Sequence, residues 1–198
     1  MHRLPILPPH ALAASILCTC LVFTAAAEDT TNILPEGALD TRVGQFFAGW
    51  KPGGFLGGSP AWNNSVTAEV EKPGGPFARL AVKDQKGSSV GISQTEKLVL
   101  NPAWKSITLK ISVRLSDFTK ASDWGGRGQF SIQFSDENDK PLAGDFHVGI
   151  NRNTRGWEEI SKEFPIPPGA ASMVTEAKLS GATGIMDVKD LRAIPALP

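Results

Sequence analysis

The chain has 198 residues, in which 20 Lys and Arg balance 20 Asp and Glu, and glycine (20) and proline (15) are frequent. A chain with a formal net charge of +0 and interspersed signs lacks the basic patch that nucleic-acid binding needs, so nucleic acid is excluded as a partner. The length fits one domain, and the absence of a long helical period indicates many short strands and turns.

The first 27 residues have the pattern of a secretory signal peptide. Arg3 supplies a positive charge, residues 11–23 form an apolar run, and Ala25 to Ala27 provide a small-residue cleavage site. The apolar run is shorter than a bilayer-spanning helix, and no other window is long and uncharged enough, so we expect no membrane insertion. Residues 28–198 are therefore predicted to form one exported domain, periplasmic or extracellular.

Both cysteines lie in this leader. Lipid attachment at Cys18 or Cys20 is an alternative, but it requires a small preceding residue, and Leu17 and Thr19 stand there instead. Once the leader is removed, no cysteine remains for a disulfide, a nucleophilic thiolate or a thiolate metal site.

The first half of the domain shows several short strand patterns. Thr30 to Asp40 predicts a short opening strand, which is followed by aromatic residues and a glycine-rich loop at residues 53–58. Residues 66–71 alternate apolar with polar side chains, and a proline-glycine turn connects them to residues 77–82. These two segments are predicted to be a hairpin or neighbouring strands.

The most regular pattern is Ile107 to Leu115, in which aliphatic residues alternate with Thr, Lys, Ser and Arg. A period of two predicts a strand with one face in the core and the other in water. Further alternating segments follow at residues 130–134, 146–150, 157–166, 173–179 and 186–194. Nine to eleven short strands without a convincing helix predict an all-β fold, a β-sandwich or jelly roll.

The two ends of the domain resemble carbohydrate-binding modules of the CenC-like type, which includes families 4, 9 and 22. The opening Asn-Ile-Leu-Pro-Glu-Gly-Ala-Leu-Asp at residues 32–40, followed by Gly49-Trp50, is similar to the opening of those modules. Residues 78–82, residues 156–161 and the closing Gly-Ile-Met-Asp-Val-Lys-Asp-Leu at residues 184–191 resemble their later strands. The resemblance implies a galactose-binding-like jelly roll and a polysaccharide or glycan as partner. Leu39 and Lys189 depart from the family pattern.

Sugar binding requires flat aromatic faces surrounded by hydrogen-bonding groups. Trp62 and Trp124 lie among polar and flexible residues and are the predicted stacking side chains, although a loop tryptophan also often holds its own loop in place. Arg127, Gln129 and Arg114 are the predicted polar ligands, since arginine forks onto sugar hydroxyls or a uronate carboxylate, with surface ion pairing as the alternative. Trp50 and Trp157 are expected to pack in the core.

The family resemblance also implies a structural calcium ion. Matched by position, Asp40, Glu71 and Asp187 are the predicted carboxylate ligands, with Asp190 a weaker fourth, although scattered carboxylates on a β-sandwich are also often only solvated. His147 is the single histidine after the leader, so a transition-metal site is not expected.

Catalytic patterns are weak, and no catalytic residue is predicted. The Gly-Ser-Ser-Val-Gly of residues 87–91 matches a nucleophile elbow only formally, because that motif needs a strand-to-helix turn and a positioned histidine. No Glu-x-Asp cluster of the glycosidase type lies on a predicted strand. A lyase would need a base beside a neutralising cation, and tyrosine is absent.

The sequence thus predicts an exported, non-catalytic carbohydrate-binding module. The alternative is a structural or protein-interaction domain of the cell envelope that has the same fold but binds no sugar, with an envelope protein as its partner. A small glycan-active enzyme is a third interpretation.

Overall fold

The computed structural model describes residues 31–53, 66–83, 89–120 and 126–197. The predicted leader, Trp62 and Trp124 lie outside these ranges. Within them every regular element is a β-strand, and no helix is long and apolar enough to cross a membrane.

Thirteen strands occur in the described ranges, a few more than the sequence predicts because three of them have only two residues. They are β1 Arg42–Val43, β2 Phe46–Phe47, β3 Trp50–Gly53, β4 Val66–Glu71, β5 Gly75–Val82, β6 Ser89–Gln94, β7 Leu98–Val99, β8 Ser106–Lys120, β9 Arg127–Ser135, β10 His147–Ile150, β11 Glu158–Pro165, β12 Ser172–Ser180 and β13 Ala182–Ala196.

Most strands belong to two antiparallel sheets. The six-stranded sheet has the order β10-β9-β12-β6-β3, with β7 also paired to β12. The five-stranded sheet has the order β11-β8-β13-β5-β4, and β1 and β2 form a small separate pair. Buried side chains from both sheets form one hydrophobic cluster, which is the architecture of a β-sandwich. The predicted fold class is confirmed.

The centre of the five-stranded sheet is the strand whose alternation is most regular in the sequence. In β8 the side chains of Ile107, Leu109, Ile111, Val113 and Leu115 are each 0% exposed, whereas the polar side chains between them are half-buried. Burying each aliphatic side chain contributes about 1.5–3 kcal/mol, so this one face makes a large share of the core. The predicted hairpin is also confirmed, since β4 pairs with β5 from Val66↔Leu80 to Glu71↔Gly75.

The predicted opening strand is wrong, because residues 31–41 contain no strand. Backbone and side-chain bonds nevertheless join this segment to β13. The Ile33 amide donates to the Ala193 carbonyl (3.0 Å), and the Leu191 amide donates to the Gly37 carbonyl (2.8 Å). Between these two bonds, Asn32 donates from Nδ2 to the Leu191 carbonyl (3.1 Å) and accepts at Oδ1 from the Ala193 amide (2.9 Å). The chain then turns through Glu36 and Leu39, which have positive φ angles of 49° and 60°. Because a side chain makes two of these bonds and the chain turns at Glu36 and Leu39, the segment joins β13 without forming a continuous strand.

Candidate functional site

The outer face of the six-stranded sheet is polar because its strands alternate in the same register. In β9, Phe130, Ile132 and Phe134 point into the core, which turns the intervening Gln and Ser residues outward. One row of paired positions crosses the whole sheet on this outer face, comprising His147, Ser131, Glu176, Ser93 and Lys51. The alternation that builds the core therefore also builds a continuous hydrogen-bonding surface.

A pocket of about 380 Å³ lies on this face, within the usual range of small-molecule sites. We call it the polar pocket; it is lined by Ser93, Gln129, Ser131, Ile132, Gln133, Gly144, Asp145, Phe146, His147, Val174, Glu176 and Lys178. Phe146 is the one phenyl or indole ring among these lining residues, and it packs edge-on against Phe134 with 5.0 Å between ring centroids. The part of the pocket that the structure describes is thus rich in polar groups and poor in stacking surfaces.

Two kinds of polar side chain line the polar pocket. Lys178 and Glu176 form an ion pair at 2.8 Å, and both side chains are less than a fifth exposed. The side chains of Gln129 and Ser93, in contrast, have no hydrogen-bond partner among the residues that the structure describes. Unpartnered amide and hydroxyl groups beside a fixed ion pair suit a ligand that presents several hydroxyls.

Arg127 begins β9 at the edge of the polar pocket and reaches sideways over β10. Its Nη1 donates to His147 Nε2 at 2.7 Å, and the other ring nitrogen, Nδ1, contacts the carboxylate of Asp145. Because Nε2 accepts from arginine, the imidazole proton is on Nδ1 and is donated to Asp145. The three residues therefore form one chain of hydrogen bonds, which fixes the orientation of the His147 ring.

The structure separates the residues that the sequence predicts as ligands. Gln129 lines the polar pocket and Arg127 borders it, whereas Arg114 lies in β8, in the opposite sheet. Arg114 is therefore not part of this pocket, and the alternative of ion pairing describes its position. Alternation shows which residues of a strand share a face, but it does not show to which sheet the strand belongs.

Arg114 is held in a cluster on the outer face of the five-stranded sheet. Asp187 of β13 is directly opposite Arg79 in β5 and Arg114 in β8, and it is 2% exposed. Arg79 donates to both oxygens of Asp187, at 2.8 and 3.0 Å, and Arg114 donates from Nη2 to Oδ2 at 2.8 Å. We call these residues, together with Glu71 and Trp157, the Arg114 cluster.

The remaining members of the Arg114 cluster fix the guanidinium from its other sides. Glu71 accepts from Arg114 Nη1 at 2.9 Å and from the indole nitrogen of Trp157 at 3.0 Å. The guanidinium carbon of Arg114 lies 4.6 Å from the centroid of a Trp157 ring, and Lys189 Nζ lies 4.5 Å from a Trp157 ring centroid. The hydrogen bond from Trp157, followed by that from Arg114, lowers the pKa of Glu71.

These contacts occupy two of the three predicted calcium ligands. Both oxygens of Asp187 accept hydrogen bonds from arginine, Glu71 pairs with Arg114, and Asp40 is an exposed side chain. The described residues contain no group of three or more His, Cys, Asp or Glu side chains that could hold a metal ion. Calcium at these residues stays a prediction, and the two cations beside Asp187 argue against it.

The tryptophans that the structure describes are not on the polar face. Trp50 is 3% exposed in the core and donates from its indole nitrogen to the Glu36 carbonyl. Trp104 is partly buried against the same core. Trp157 is half-buried and belongs to the Arg114 cluster instead of the core, so the prediction for Trp50 is confirmed and that for Trp157 is wrong.

Sequence reasoning missed the most informative polar residues. Glu176, Lys178 and Ser93 line the polar pocket, and Asp145 orients His147. The alternation of residues 173–179 does indicate which side chains of β12 face outward. It does not indicate that β12 lies between β9 and β6, which is what brings these side chains together.

No family model matches the sequence, and no curated protein matches it. Solved structures do match. The enzymatically active domain of tailspike protein 4 of bacteriophage CBA120 has a TM-score of 0.60 and 14% identity over 83% of this chain, which spans only 21% of that chain.

Carbohydrate-binding modules match with similar coverage of this chain. A family 4 module has a TM-score of 0.52 and 14% identity, covering 82% of this chain and 99% of the module. A second match is a Clostridium thermocellum xylanase, in which a family 22 module is joined to a GH10 module and complexed with xylohexaose. Its TM-score is 0.50 with 13% identity, and the match covers 86% of this chain and 28% of that chain. At these identities the likeness establishes the fold: the chain is a β-sandwich of the kind found in carbohydrate-binding modules.

Proposed function

We propose that this protein is an exported, non-catalytic glycan-binding module whose site is the polar pocket. The observation that carries the proposal is the unpartnered Gln129 and Ser93 beside the Glu176–Lys178 ion pair, on one face of a sandwich shared with carbohydrate-binding modules. Side-chain amides and hydroxyls exchange their water for sugar hydroxyls at little cost when the site is already formed.

Trp62 and Trp124 are proposed to supply the stacking surface that the described part of the pocket lacks. Trp124 is three residues from Arg127, so the extended chain cannot place its Cα more than about 11 Å from the Arg127 Cα. Stacking on an aromatic ring is expected to add to the hydrogen bonds made by the polar face. Trp124→Ala should then weaken glycan retention in an affinity gel, and retention unchanged by this substitution would remove Trp124 from the site.

The test of the site itself is affinity electrophoresis of the purified protein against a panel of soluble glycans, including neutral xylan and β-glucan. Gln129→Ala should weaken retention about tenfold, because it removes unpartnered donors and an acceptor from the pocket. Lys110→Ala is the matched control, since Lys110 is a half-buried polar residue on the opposite sheet. Equal loss with both variants would place the binding elsewhere.

The alternative function, a structural or protein-interaction domain of the cell envelope, predicts a different result. Such a domain would be retarded by no glycan of the panel. If any polymer of the panel retards the wild type, and Gln129→Ala removes that retardation, the alternative is excluded for this face.

A further inference from the structure

Arg127 differs from four arginines of this structure that pair with carboxylates. It has no carboxylate partner among the residues that the structure describes, and its one hydrogen bond goes to a neutral imidazole nitrogen. Four other arginines pair with carboxylates, namely Arg79, Arg114, Arg152 and Arg192. A half-buried guanidinium without an anion loses part of its hydration without a compensating charge.

The carboxylates on the same face are already engaged. Asp145 is held by His147, and Glu176 is held by Lys178 at 2.8 Å. Neither forms an ion pair with Arg127. The positive charge of Arg127 is therefore not cancelled by a direct partner in the part of the sheet that the structure describes.

The side chain of Arg127 passes over Gly149 of β10. Gly149 faces outward there, and a Cβ built on it would lie 3.5 Å from the Cδ of Arg127. That distance is an ordinary van der Waals contact, so the aliphatic part of Arg127 packs closely on β10 at this position. His147, held by Asp145, then fixes Nη1 at 2.7 Å.

This arrangement leaves one edge of the guanidinium unoccupied. The hydrogen bond to His147 uses Nη1, and Nε and Nη2 have no acceptor among the described residues. Nε and Nη2 lie on the edge through which arginine binds a carboxylate with two parallel hydrogen bonds. A planar oxyanion fits that edge better than a sugar hydroxyl does.

We propose that the polar pocket binds an acidic glycan, with the carboxylate of a uronic acid residue held by the Nε and Nη2 of Arg127. The inference rests on the proposed glycan-binding function and specifies its ligand class. His147 is a positioning residue for Arg127, and Gln129, two residues along β9, is placed to bind hydroxyls of the same or the adjacent sugar.

The experiment compares uronate polymers with their own carboxyl-reduced forms. Polygalacturonate, alginate and glucuronoxylan, each native and carboxyl-reduced, are titrated into the full protein at 150 mM salt, where non-specific attraction is screened. We expect at least one native polymer to bind tenfold or more tightly than its reduced form. Arg127→Gln should abolish that difference, and Arg127→Lys should restore only part of it because lysine cannot form the two parallel bonds.

Two further variants test the positioning of Arg127 by His147 and the non-specific attraction of cations on this face. His147→Phe should reduce the preference for the native polymer over its reduced form, because Arg127 loses the acceptor that fixes Nη1. Lys51→Gln removes another cation from the same face and should change the preference less than twofold. A similar loss for Lys51→Gln and Arg127→Gln would overturn the proposal in favour of non-specific attraction.

The remaining outcomes are distinct. Equal affinity for native and reduced polymers would overturn the acidic-glycan inference and leave the proposed glycan-binding function standing. Preference for dextran sulfate over dextran, without preference for any uronate, would overturn the carboxylate as ligand in favour of a sulfate group. Binding of no polymer would overturn both the inference and the proposed function.

Discussion

At the scale of single residues, Asp187 shows how a charged side chain is buried in the outer layer of a sheet. Its two cross-strand neighbours are both arginines, so the chain covers the carboxylate with cations from each side. Removing one member of such a group leaves the others with uncompensated charge, which costs more than the group contributes to stability.

We therefore expect Asp187→Asn to destabilise the protein by about 2–3 kcal/mol, somewhat below the value for fully buried pairs because the arginine side chains are 25% and 37% exposed. Urea unfolding measures this change. Asp139→Asn is the control, since Asp139 is 71% exposed in its pair with Lys97, and its effect should stay below about 0.5 kcal/mol. Equal effects would show that burial of Asp187 does not matter.

Glu71 makes the stability of the same cluster dependent on pH. In the folded protein its pKa is lowered below the ordinary value of 4.5, first by the hydrogen bond from the indole of Trp157 and then by that from Arg114. Because the folded pKa is depressed, the contribution of Glu71 to stability is present above about pH 4.5 and is lost as the pH falls through the folded pKa.

Thermal unfolding of Glu71→Gln tests this expectation between pH 7 and pH 3. The variant should melt below the wild type at pH 7, and the difference between the two should shrink as the pH falls below 4.5. Glu137→Gln changes an exposed carboxylate in a turn and should follow the wild type throughout. A difference between Glu71→Gln and wild type that is constant with pH would show that the lost contact is not ionic.

At the scale of elements, β8 combines a core face and a surface face in fifteen residues. Ile111 is 0% exposed, so Ile111→Ala removes buried methyl groups and leaves a cavity, and we expect a loss of about 3 kcal/mol. Its neighbour Lys110 faces outward, and Lys110→Ala should cost less than about 0.5 kcal/mol. Chemical denaturation measures the free energy of unfolding of both variants. Similar losses of this free energy would contradict the assignment of the two faces.

This strand also shows what the sequence can predict about the fold. A period of two is a local property, so the core faces of β8, β9 and β12 are visible in the sequence without any knowledge of strand order. The opening segment defeats the same reasoning, because its bonds to β13 come partly from the Asn32 side chain and the chain turns at Glu36 and Leu39, so no continuous strand forms. Alternation predicts regular strands well, but it does not predict where a side chain takes part in the hydrogen bonding of a strand.

The candidate site was less predictable than the fold for a related reason. Gln129 could be assigned to an outward face, but its neighbours Glu176 and Ser93 are 47 and 36 positions away and meet it only because β12 lies between β9 and β6. Arg114 shows a different failure. The alternation of β8 correctly predicts that Arg114 faces outward, but β8 belongs to the five-stranded sheet and not to the sheet that carries the polar pocket. Strand order depends on long-range pairing, which a single sequence does not display.

At the scale of the whole molecule, the two outer faces of the sandwich have different characters. The five-stranded sheet carries the Arg114 cluster, in which arginine and carboxylate groups satisfy one another. The six-stranded sheet carries the polar pocket, where Gln129, Ser93 and one edge of Arg127 have no partner among the described residues. The paired groups stabilise the five-stranded face. The six-stranded face has pairs of its own, Glu176–Lys178 and Asp145–His147–Arg127, but it also keeps polar groups that a ligand can bind.

This difference leads to a prediction for the intact protein. A glycan that binds only the folded state at one hundred times its Kd stabilises that state by about 2.7 kcal/mol, which raises the Tm by about 5–10 °C for a chain of this size. Gln129→Ala should lose most of this increase, whereas Lys110→Ala, on the other face, should keep it. Differential scanning fluorimetry with and without the glycan measures both.

The same measurement, repeated over time, tests whether the protein only binds glycan or also cleaves it. The fold does not distinguish these two functions, because the similar structures include an enzymatically active tailspike domain as well as a family 4 module. For a non-catalytic module, the increase in Tm persists after a day of incubation at 25 °C and no new chain ends form. For an enzyme, the increase declines as the polymer shortens and chain ends accumulate. The orientation of His147 by Asp145 makes His147→Phe the variant to compare, since an enzyme that used this imidazole as a base would lose the decline in that variant.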